Sequence, residues 1–489
     1  MIIKKLLYIL QSENYNLLRF WRFVYTHPAW WKLEKRQKLK WTPKAISLYS
    51  ETLFVIVILL AVFYFFWKLK GLILLFVLFI PCLPLLLGFS VLLFMPLDFY
   101  LKKGLVKRAR NILLKTQITV IGITGSYGKT STKEILSKIL EKKYKVLKTF
   151  GNINTDIGIA NFIKKNALLV ANSDILIVEM GAYGLGEIAK ICKMVCPRYA
   201  ILTGINETHL ERFKTLEKII KTKFELIEHT QQLAVLNFDD ENIKKNYSRF
   251  DKSRTFPRGI RPCRKDLFDI QSSPQQAAGC SGKVRDKDIC VGARAKEASN
   301  IKILDDFKGF TFQYQGVDFQ TQFLAAHNLI LILMCIKIAQ ELKMDLNQIS
   351  EAVRNIKPIT NRLCPIHNPN TNIMIIDDSY NANFNGIVSG LDVLQRAKGR
   401  KVALTPGVVE LGDMTKEVHN KIGMLYTQKV DLALLIKTHG TDYMIQIFKQ
   451  TGFKNYKVYN SAKEAHDDLG NILQNGDTII FQNDLTDNY

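Results

Sequence analysis

The sequence predicts an α/β protein in three parts. These are an N-terminal transmembrane helical hairpin, a central P-loop domain on a parallel sheet, and a C-terminal Rossmann-like α/β domain. Three observations predict it. Two apolar runs without a charge, 53–67 and 71–96, stand early in the 489 residues. One Gly-rich loop, Gly122-Ile-Thr-Gly-Ser-Tyr-Gly-Lys-Thr-Ser-Thr132, follows a β-branched run. From about residue 111, strand patterns alternate with helix patterns, the order of a parallel sheet covered on both faces.

Residues 1–50 are basic and aromatic, with Trp21, Trp30, Trp31 and Trp41 among many lysines and arginines. That mixture suits a headgroup interface. Helices are expected at about 51–67 and 71–96. The second is long enough to span a bilayer, and the first is near the lower limit. Pro81, Pro84 and Pro96 would kink or end the second. The apolar part starts too late and runs too long for a signal peptide. Lys102, Lys103, Lys107, Arg108 and Arg110 follow, whereas Lys68 and Lys70 lie between the runs. The positive-inside rule puts both flanks of this 1–110 region in the cytoplasm.

The formal charge of +24 admits nucleic acid, a membrane surface or anionic substrates as partners. No nucleic-acid-binding motif is visible and the basic residues are spread out, so no nucleic acid is expected. The eight cysteines form no Cys-x-x-Cys pair, and Cys192 and Cys196 lack a second pair or a His cluster for zinc. Free thiols are expected.

The Gly-rich loop has the strand Gln117–Ile121 before it. After it, Lys129–Leu140 carries Ile135, Leu136, Ile139 and Leu140 at helical spacing. Strand, loop and helix make a phosphate cradle. Gly125, Ser126 and Gly128 bring backbone N–H groups close, and the helix N-terminus adds partial positive charge. Lys129 would reach the β/γ-phosphates, and the hydroxyl of Thr130, next to Ser131, would hold Mg²⁺. The general motif has a glycine where Ile123 stands.

Asp174–Met180 reads as a strand with Glu179 at its end. Tyr199–Thr203 is the next strand, followed by a loop with His209. Thr215–His229 reads as a helix and Gln232–Asn237 as a strand. Ligands gather at the C-terminal ends of such strands. Residues 240–300 are polar and irregular, part of a variable insertion at about 240–320. Ala325–Leu342 is a helix opening with His327-Asn328. Lys357-Pro358 closes a central domain of 111–357. A second alternating unit, 358–489, has strands Ile373–Asp377, Lys401–Thr405 and Leu432–Ile436, helices after Asn385 and near Lys416, and no P-loop.

Eight stretches stand in a telling order: Thr-Gly-Ser-Tyr-Gly-Lys-Thr at 124–130, Gly-Asn-Ile-Asn-Thr-Asp-Ile-Gly at 151–158, Val-Glu-Met-Gly at 178–181, Asn-Glu-Thr-His-Leu-Glu at 206–211, Lys-Thr-Lys-Phe-Glu at 221–225, Ala-His-Asn at 326–328, Asn-Arg at 361–362 and Asp-Asp-Ser-Tyr-Asn-Ala-Asn at 377–383. Together they resemble the Mur ligases, the ATP-dependent amide-forming enzymes of peptidoglycan precursor synthesis. The last stretch is specific to the branch that adds D-alanyl-D-alanine to a UDP-linked muropeptide.

The resemblance implies ATP and Mg²⁺ as cofactors and an acyl-phosphate intermediate. It implies that Lys129, His209 and Lys223 are catalytic. Gly125, Ser126, Gly128, Lys129, Thr130, Ser131, His327, Asn328, Arg362 and Asp378 would bind ATP. Thr130, Glu179, His209 and a carbamylated Lys223 would hold metal, with Lys221 a rival for Lys223 by spacing. Asn152, Asn154, Tyr380, Asn381 and Asn383 would face the substrate. Alone, His209 would read as a loop residue and Lys223 as a solvated helix lysine; only the ordered set changes that.

Leu331, Thr155, Ala160 and Phe384 stand where the family has other residues. The small soluble domain that grips the UDP end has no visible counterpart, since the membrane-like 1–110 region takes its place. The implied partners are a nucleotide- or lipid-linked muropeptide, an amino-acid or dipeptide amine, and the membrane. The expected location is the bacterial cytoplasmic membrane, with the catalytic domains facing the cytoplasm. A ligase acting on a lipid-linked or polymeric envelope substrate and a non-catalytic ATP-binding regulator stay open as alternatives.

Overall fold

The computed structural model describes residues 2–13, 15–27, 30, 39–151, 153–207, 210–251, 290–380, 383–409 and 411–482. The chain forms two compact units, one over Met1–Gly104 and one over Leu105–Leu485.

The first unit is helical: α1 (Ile2–Ser12), α2 (Leu17–Thr26) and the start of α3 (Pro43–Leu114). The Asn16 side chain caps α2 by accepting from the Arg19 N–H. As a straight rod, the 72 residues of α3 would reach about 108 Å. Yet Lys44 Nζ lies 2.7 Å from Asp98 Oδ2, and Thr52 Oγ1 lies 3.3 Å from Ser90 Oγ. The helical stretch therefore folds back on itself, as the two separate runs in the sequence lead one to expect. Leu6, Leu10, Phe20, Leu48, Leu83 and Leu87 pack inside this unit. Pro43–Val62 and Leu83–Leu114 are long and apolar enough to cross a membrane by length and composition.

The second unit opens with a six-stranded parallel sheet. Its strands are β1 (Thr119–Thr124), β2 (Val146–Lys148), β3 (Ile175–Glu179), β4 (Tyr199–Leu202), β5 (Leu233–Asn237) and β6 (Cys290–Ala293), in spatial order β2-β3-β1-β4-β5-β6. β1 and β3 read as continuous apolar runs because helices cover both sheet faces. Between these strands run α4 (Lys129–Leu140), α5 (Asp156–Lys165), α6 (Ala167–Ala171), α7 (Glu187–Val195), α8 (Leu210–Phe213), α9 (Leu216–Glu228) and α10 (Glu241–Asp251). A three-stranded antiparallel sheet follows, β7 (Ser299–Ile303), β8 (Phe310–Tyr314) and β9 (Val317–Thr321), and then α11 (Asn328–Glu341) and α12 (Leu346–Arg354). α11 is apolar nearly all round because it lies in the core beside α4. On the other face, α5, α7 and α9 bury Ile159, Ile191 and Phe224.

Of the stretch read as polar and irregular from 240 to 300, residues 252–289 lie outside the described residues, and the rest holds α10 and β6. α10 packs beside α9, burying Ile243, and β6 pairs in parallel with β5. β6 is too short to show an apolar run, which is why it escaped notice. Three of the cysteines, Cys192, Cys335 and Cys364, are free thiols, but Cys196 is disulfide-bonded, which corrects the expectation of free thiols throughout.

A second six-stranded sheet completes the unit. It contains β10 (Cys364–Asn368), β11 (Ile373–Asp378), β12 (Lys401–Thr405), β13 (Leu432–Ile436), β14 (Tyr456–Tyr459) and β15 (Thr478–Gln482). The order is β10-β11-β15-β12-β13-β14, with only β10 antiparallel among these. α13 (Phe384–Leu394), α14 (Thr415–Lys429), α15 (His439–Thr451) and α16 (Ala462–Ile472) cover it.

Candidate functional site

β1 lies at the centre of the first sheet, with β3 on one side and β4 on the other. This is the switch point where α/β sheets bind ligands. After Thr124 the chain must turn into α4 within four residues. Gly128 caps α4 in the left-handed region at φ +74°. A Cβ on Gly125 would lie 2.0 Å from Thr203 Oγ1, so the loop can sit against β4 only with glycine there. No side chain caps α4, which leaves its first N–H groups to the loop's concave side. The loop is braced from β4: Ser126 N–H donates to the Gly204 carbonyl at 2.7 Å. Tyr127 lies against Gly204 and donates to Asp240 Oδ2 at 2.9 Å. The same Asp240 oxygen accepts from the Ile205 N–H.

Lys129 Nζ curls under the loop and donates to the carbonyls of Gly125 at 2.7 Å and Ser126 at 3.3 Å. Burial lowers its pKa, the Arg362 charge adds to the fall, and Glu179 opposes it. Ser131, on the next helical position, is buried. The parallel pairing of Ile123 with Glu179 places Glu179 beside the loop. Its Oε2 accepts from Thr130 Oγ1 at 3.1 Å and forms an ion pair with Lys133 Nζ at 3.0 Å. Lys133 also donates to the Gly151 carbonyl at 2.9 Å. Gly151 is thereby tied to Glu179 through Lys133. The Asn154 carbonyl in turn accepts from the Gly181 N–H just past Glu179, at 2.7 Å.

α9 presents Lys223 inward and Lys221 to solvent. Lys223 is 3% exposed. Desolvation first, then the nearby Lys129 charge, lowers its pKa to about 7 against the pull of Glu187 and Glu225. Glu225 is engaged elsewhere, accepting from the Gly186 and Ala189 N–H groups at the start of α7.

The second sheet contributes from the other side. Arg362 Nη1 donates to the Tyr380 carbonyl at 3.1 Å, and its guanidinium stands 4.7 Å over the Tyr380 ring. Asp378, at the end of β11, is buried; desolvation raises its carboxyl to about 8 against the opposing Arg362 charge. His327 Nδ1 is 2.9 Å from Ser389 Oγ on α13, which links the head of α11 to the second sheet's helices. Desolvation, then Arg362, pushes the His327 pKa down. Asn328 opens α11 and is buried. Asn383 uses its Oδ1 to cap α13 through the Gly386 N–H.

The structure thus gathers Gly125, Ser126, Gly128, Lys129, Thr130 and Glu179 at one strand end. Lys223 and Arg362 lie within electrostatic reach of Lys129. Asn152, His209 and Asn381 lie outside the described residues. Lys133, Tyr127 and Asp240 were not singled out from the sequence. Lys133 had a signal: it shares a helical stripe with Leu136 and Leu140, where a lysine is out of place.

These residues fit a nucleotide with Mg²⁺. Thr130 and Glu179 supply hard oxygen donors, and Mg²⁺ characteristically takes one or two carboxylates plus substrate phosphates. Among the described residues no cluster of three or more His, Cys, Asp or Glu could hold a metal without such help.

Two family models match the chain. The Mur ligase middle domain matches residues 123–339, and the Mur ligase glutamate ligase domain matches 361–482. UDP-N-acetylmuramoyl-tripeptide–D-alanyl-D-alanine ligase of Escherichia coli K12 is 27% identical over 374 residues, covering 74% of this chain and 73% of that protein. The enzyme of the same name from Borreliella burgdorferi is 26% identical, covering 64% of this chain and 60% of its own length. In fold, the chain is similar to MurF ligase from Thermotoga maritima in complex with ADP. That match has a TM-score of 0.60 and 23% identity, and covers 78% of this chain and 80% of the other.

The comparisons correct one expectation. The expected location in the bacterial cytoplasmic membrane is not upheld: the relatives are named as ligases of a UDP-linked muropeptide, and Pro43–Val62 and Leu83–Leu114 are membrane candidates by length and composition alone. A lipid-linked substrate and a membrane partner gain no support from these relatives. The phosphate cradle, the Thr130–Glu179 pair and the two matched domains lead to one conclusion: the chain belongs to the Mur ligase family, ATP-dependent enzymes that form peptide bonds, with ATP and Mg²⁺ as cofactors.

Proposed function

We propose that the chain joins D-alanyl-D-alanine to a UDP-N-acetylmuramoyl-tripeptide. The observation that carries this is the run 377–383, with Arg362, Asp378 and Tyr380 packed together opposite the phosphate loop. The relatives of that name support the reading. The domain division proposed is 1–110, 111–357 with an insertion at about 240–320, and 358–489. The N-terminal region stands in the chain where the UDP-gripping domain is expected.

A carboxylate is a poor acyl donor at neutral pH. Its oxygen attacks the γ-phosphorus of ATP, the bond to ADP breaks, and an acyl phosphate results. The amine then attacks the acyl carbon, the peptide bond forms, and inorganic phosphate leaves. Bound Mg²⁺ supplies charge neutralisation of the phosphate oxygens. Lys129 adds positive charge to them, with Gly125, Ser126 and Gly128 offering N–H groups and Ser131 following in the first turn. Thr130, Glu179 and His209 hold metal in this reading. Lys223, as a carbamate, joins them. A carbamate forms only on the neutral amine, and burial keeps Lys223 partly neutral near pH 7. His327, Asn328, Arg362 and Asp378 contact the nucleotide when the domains close, excluding water from the acyl phosphate. Asn152, Asn154, Tyr380, Asn381 and Asn383 face the substrate.

The test is direct. Purified protein receives ATP, Mg²⁺, the UDP-linked tripeptide and D-alanyl-D-alanine, and phosphate release and product mass are measured. The expected product is the UDP-linked pentapeptide. Phosphate release that does not depend on D-alanyl-D-alanine would refute the assignment.

A further inference from the structure

Lys133 is fully buried on the apolar stripe of α4. Its ammonium has two acceptors, Glu179 Oε2 at 3.0 Å and the Gly151 carbonyl at 2.9 Å. Glu179 is 2% exposed and meets Thr130 Oγ1 through that same oxygen. An unpaired charge buried this deeply costs several kcal/mol, so each partner requires the other. The pair is more than structural, because Glu179 is the carboxylate read above as a metal ligand. A carboxylate already neutralised by an ammonium has little charge left to attract a divalent cation. Phosphate oxygens arriving at the loop would supply the negative charge that is missing.

We propose that Lys133 is a resident counter-cation that makes metal binding conditional on nucleotide. It is a positioning residue, acting through Glu179. Its second bond holds Gly151 beside the same carboxylate, where Thr149 Oγ1 already accepts from the Glu179 N–H at 3.2 Å. Metal loading and the placement of Gly151 are therefore joined through one side chain. The proposal rests on the reading of Glu179 as a metal carboxylate.

The experiment titrates the full chain with Mn²⁺, following free Mn²⁺ by electron paramagnetic resonance, with and without ADP. Wild type should show no tight site without ADP and a saturable site with it. Lys133→Met keeps the length and removes the charge. It should bind Mn²⁺ without nucleotide at least about tenfold more tightly than wild type, since a full like charge at ion-pair distance is gone. Lys133→Arg should behave as wild type. A folded Lys133→Met protein with unchanged nucleotide-free Mn²⁺ affinity overturns the proposal. Should Lys133→Met fail to fold, the wild type decides, because tight Mn²⁺ binding without ADP overturns it equally. Glu179→Gln separates the two readings: if it keeps the ADP-dependent site, the assignment of Glu179 to metal fails first.

Discussion

Lys223→Met should make the protein more stable at neutral pH while abolishing its activity. Lys223 is 3% exposed, and its pKa falls from 10.5 to about 7. At 1.36 kcal/mol per tenfold, that difference is roughly 5 kcal/mol held against the folded state by the charged amine. The folded pKa lies below the unfolded one, so between about pH 7 and 10.5 the unfolded chain binds more protons. Stability therefore rises with pH across that window and is lowest below it. Methionine fills similar volume with no charge. In CO₂-depleted, nucleotide-free buffer the variant should gain about 4 kcal/mol over wild type at pH 7, and about half of that at pH 9. Urea unfolding followed by circular dichroism at both pH values reads this out. A gain that is absent, or equal at the two pH values, would show that the amine bears no desolvation cost. The exposed Lys221 is the internal control: Lys221→Met should change stability by less than about 0.5 kcal/mol and leave turnover intact. If Lys221→Met is the inactive variant instead, the carbamate assignment is two residues off.

Three further outcomes are expected. Lys129→Ala should cut ligase turnover by at least about 10²-fold, as removal of an electrostatic stabiliser does, while the melting curve stays near wild type; full activity would refute the phosphate-loop reading. Gly204→Ala puts a methyl group 2.0 Å from the Tyr127 ring, so it should weaken ADP binding measured by calorimetry, and Tyr127→Ala should restore it in the double variant. No rescue would mean that the ring is not what the methyl group meets. Arg362→Lys loses the planar stack on Tyr380, and should lower kcat more than it weakens ATP binding; the reverse split would place Arg362 in ground-state binding alone.

The scaffold was legible where the apolar period was clean. Lys129–Leu140, Lys401–Thr405 and Leu432–Ile436 match their expected bounds, because a β-branched or periodic run meets an abrupt polar end at each. Thr215–His229 was read two residues too long only because those two residues are the caps of α9; the Thr215 hydroxyl accepts from the Lys218 N–H. Less was legible where pairing is non-local. β6 pairs with β5 from more than fifty residues away in sequence, and its four residues carry little signal of their own. The antiparallel β7 to β9 sheet lay inside a stretch assigned to an insertion, although Phe310, Phe312 and Tyr314 alternate as a half-buried strand should.

The candidate site was legible as motifs but not as a charge distribution, and the distribution carries the more specific argument. Lys129, Lys133, Lys223 and Arg362 all stand within electrostatic reach of the phosphate loop or of Glu179. Each of Lys129, Lys223 and Arg362 has its pKa lowered, with burial the leading cause. Positive charge is thus packed at the loop before any phosphate arrives. That favours a polyanion, and it also favours losing one of these charges. Lys223 is the member that can lose its proton near neutral pH, and converting its amine to a carbamate replaces a repelled cation with an anion among cations. Lys133 differs in its partner, since its ammonium is paired with Glu179. In the proposed reading the two buried lysines divide the work by their partners: Lys133 is paired with a carboxylate, and Lys223, as a carbamate, would become one.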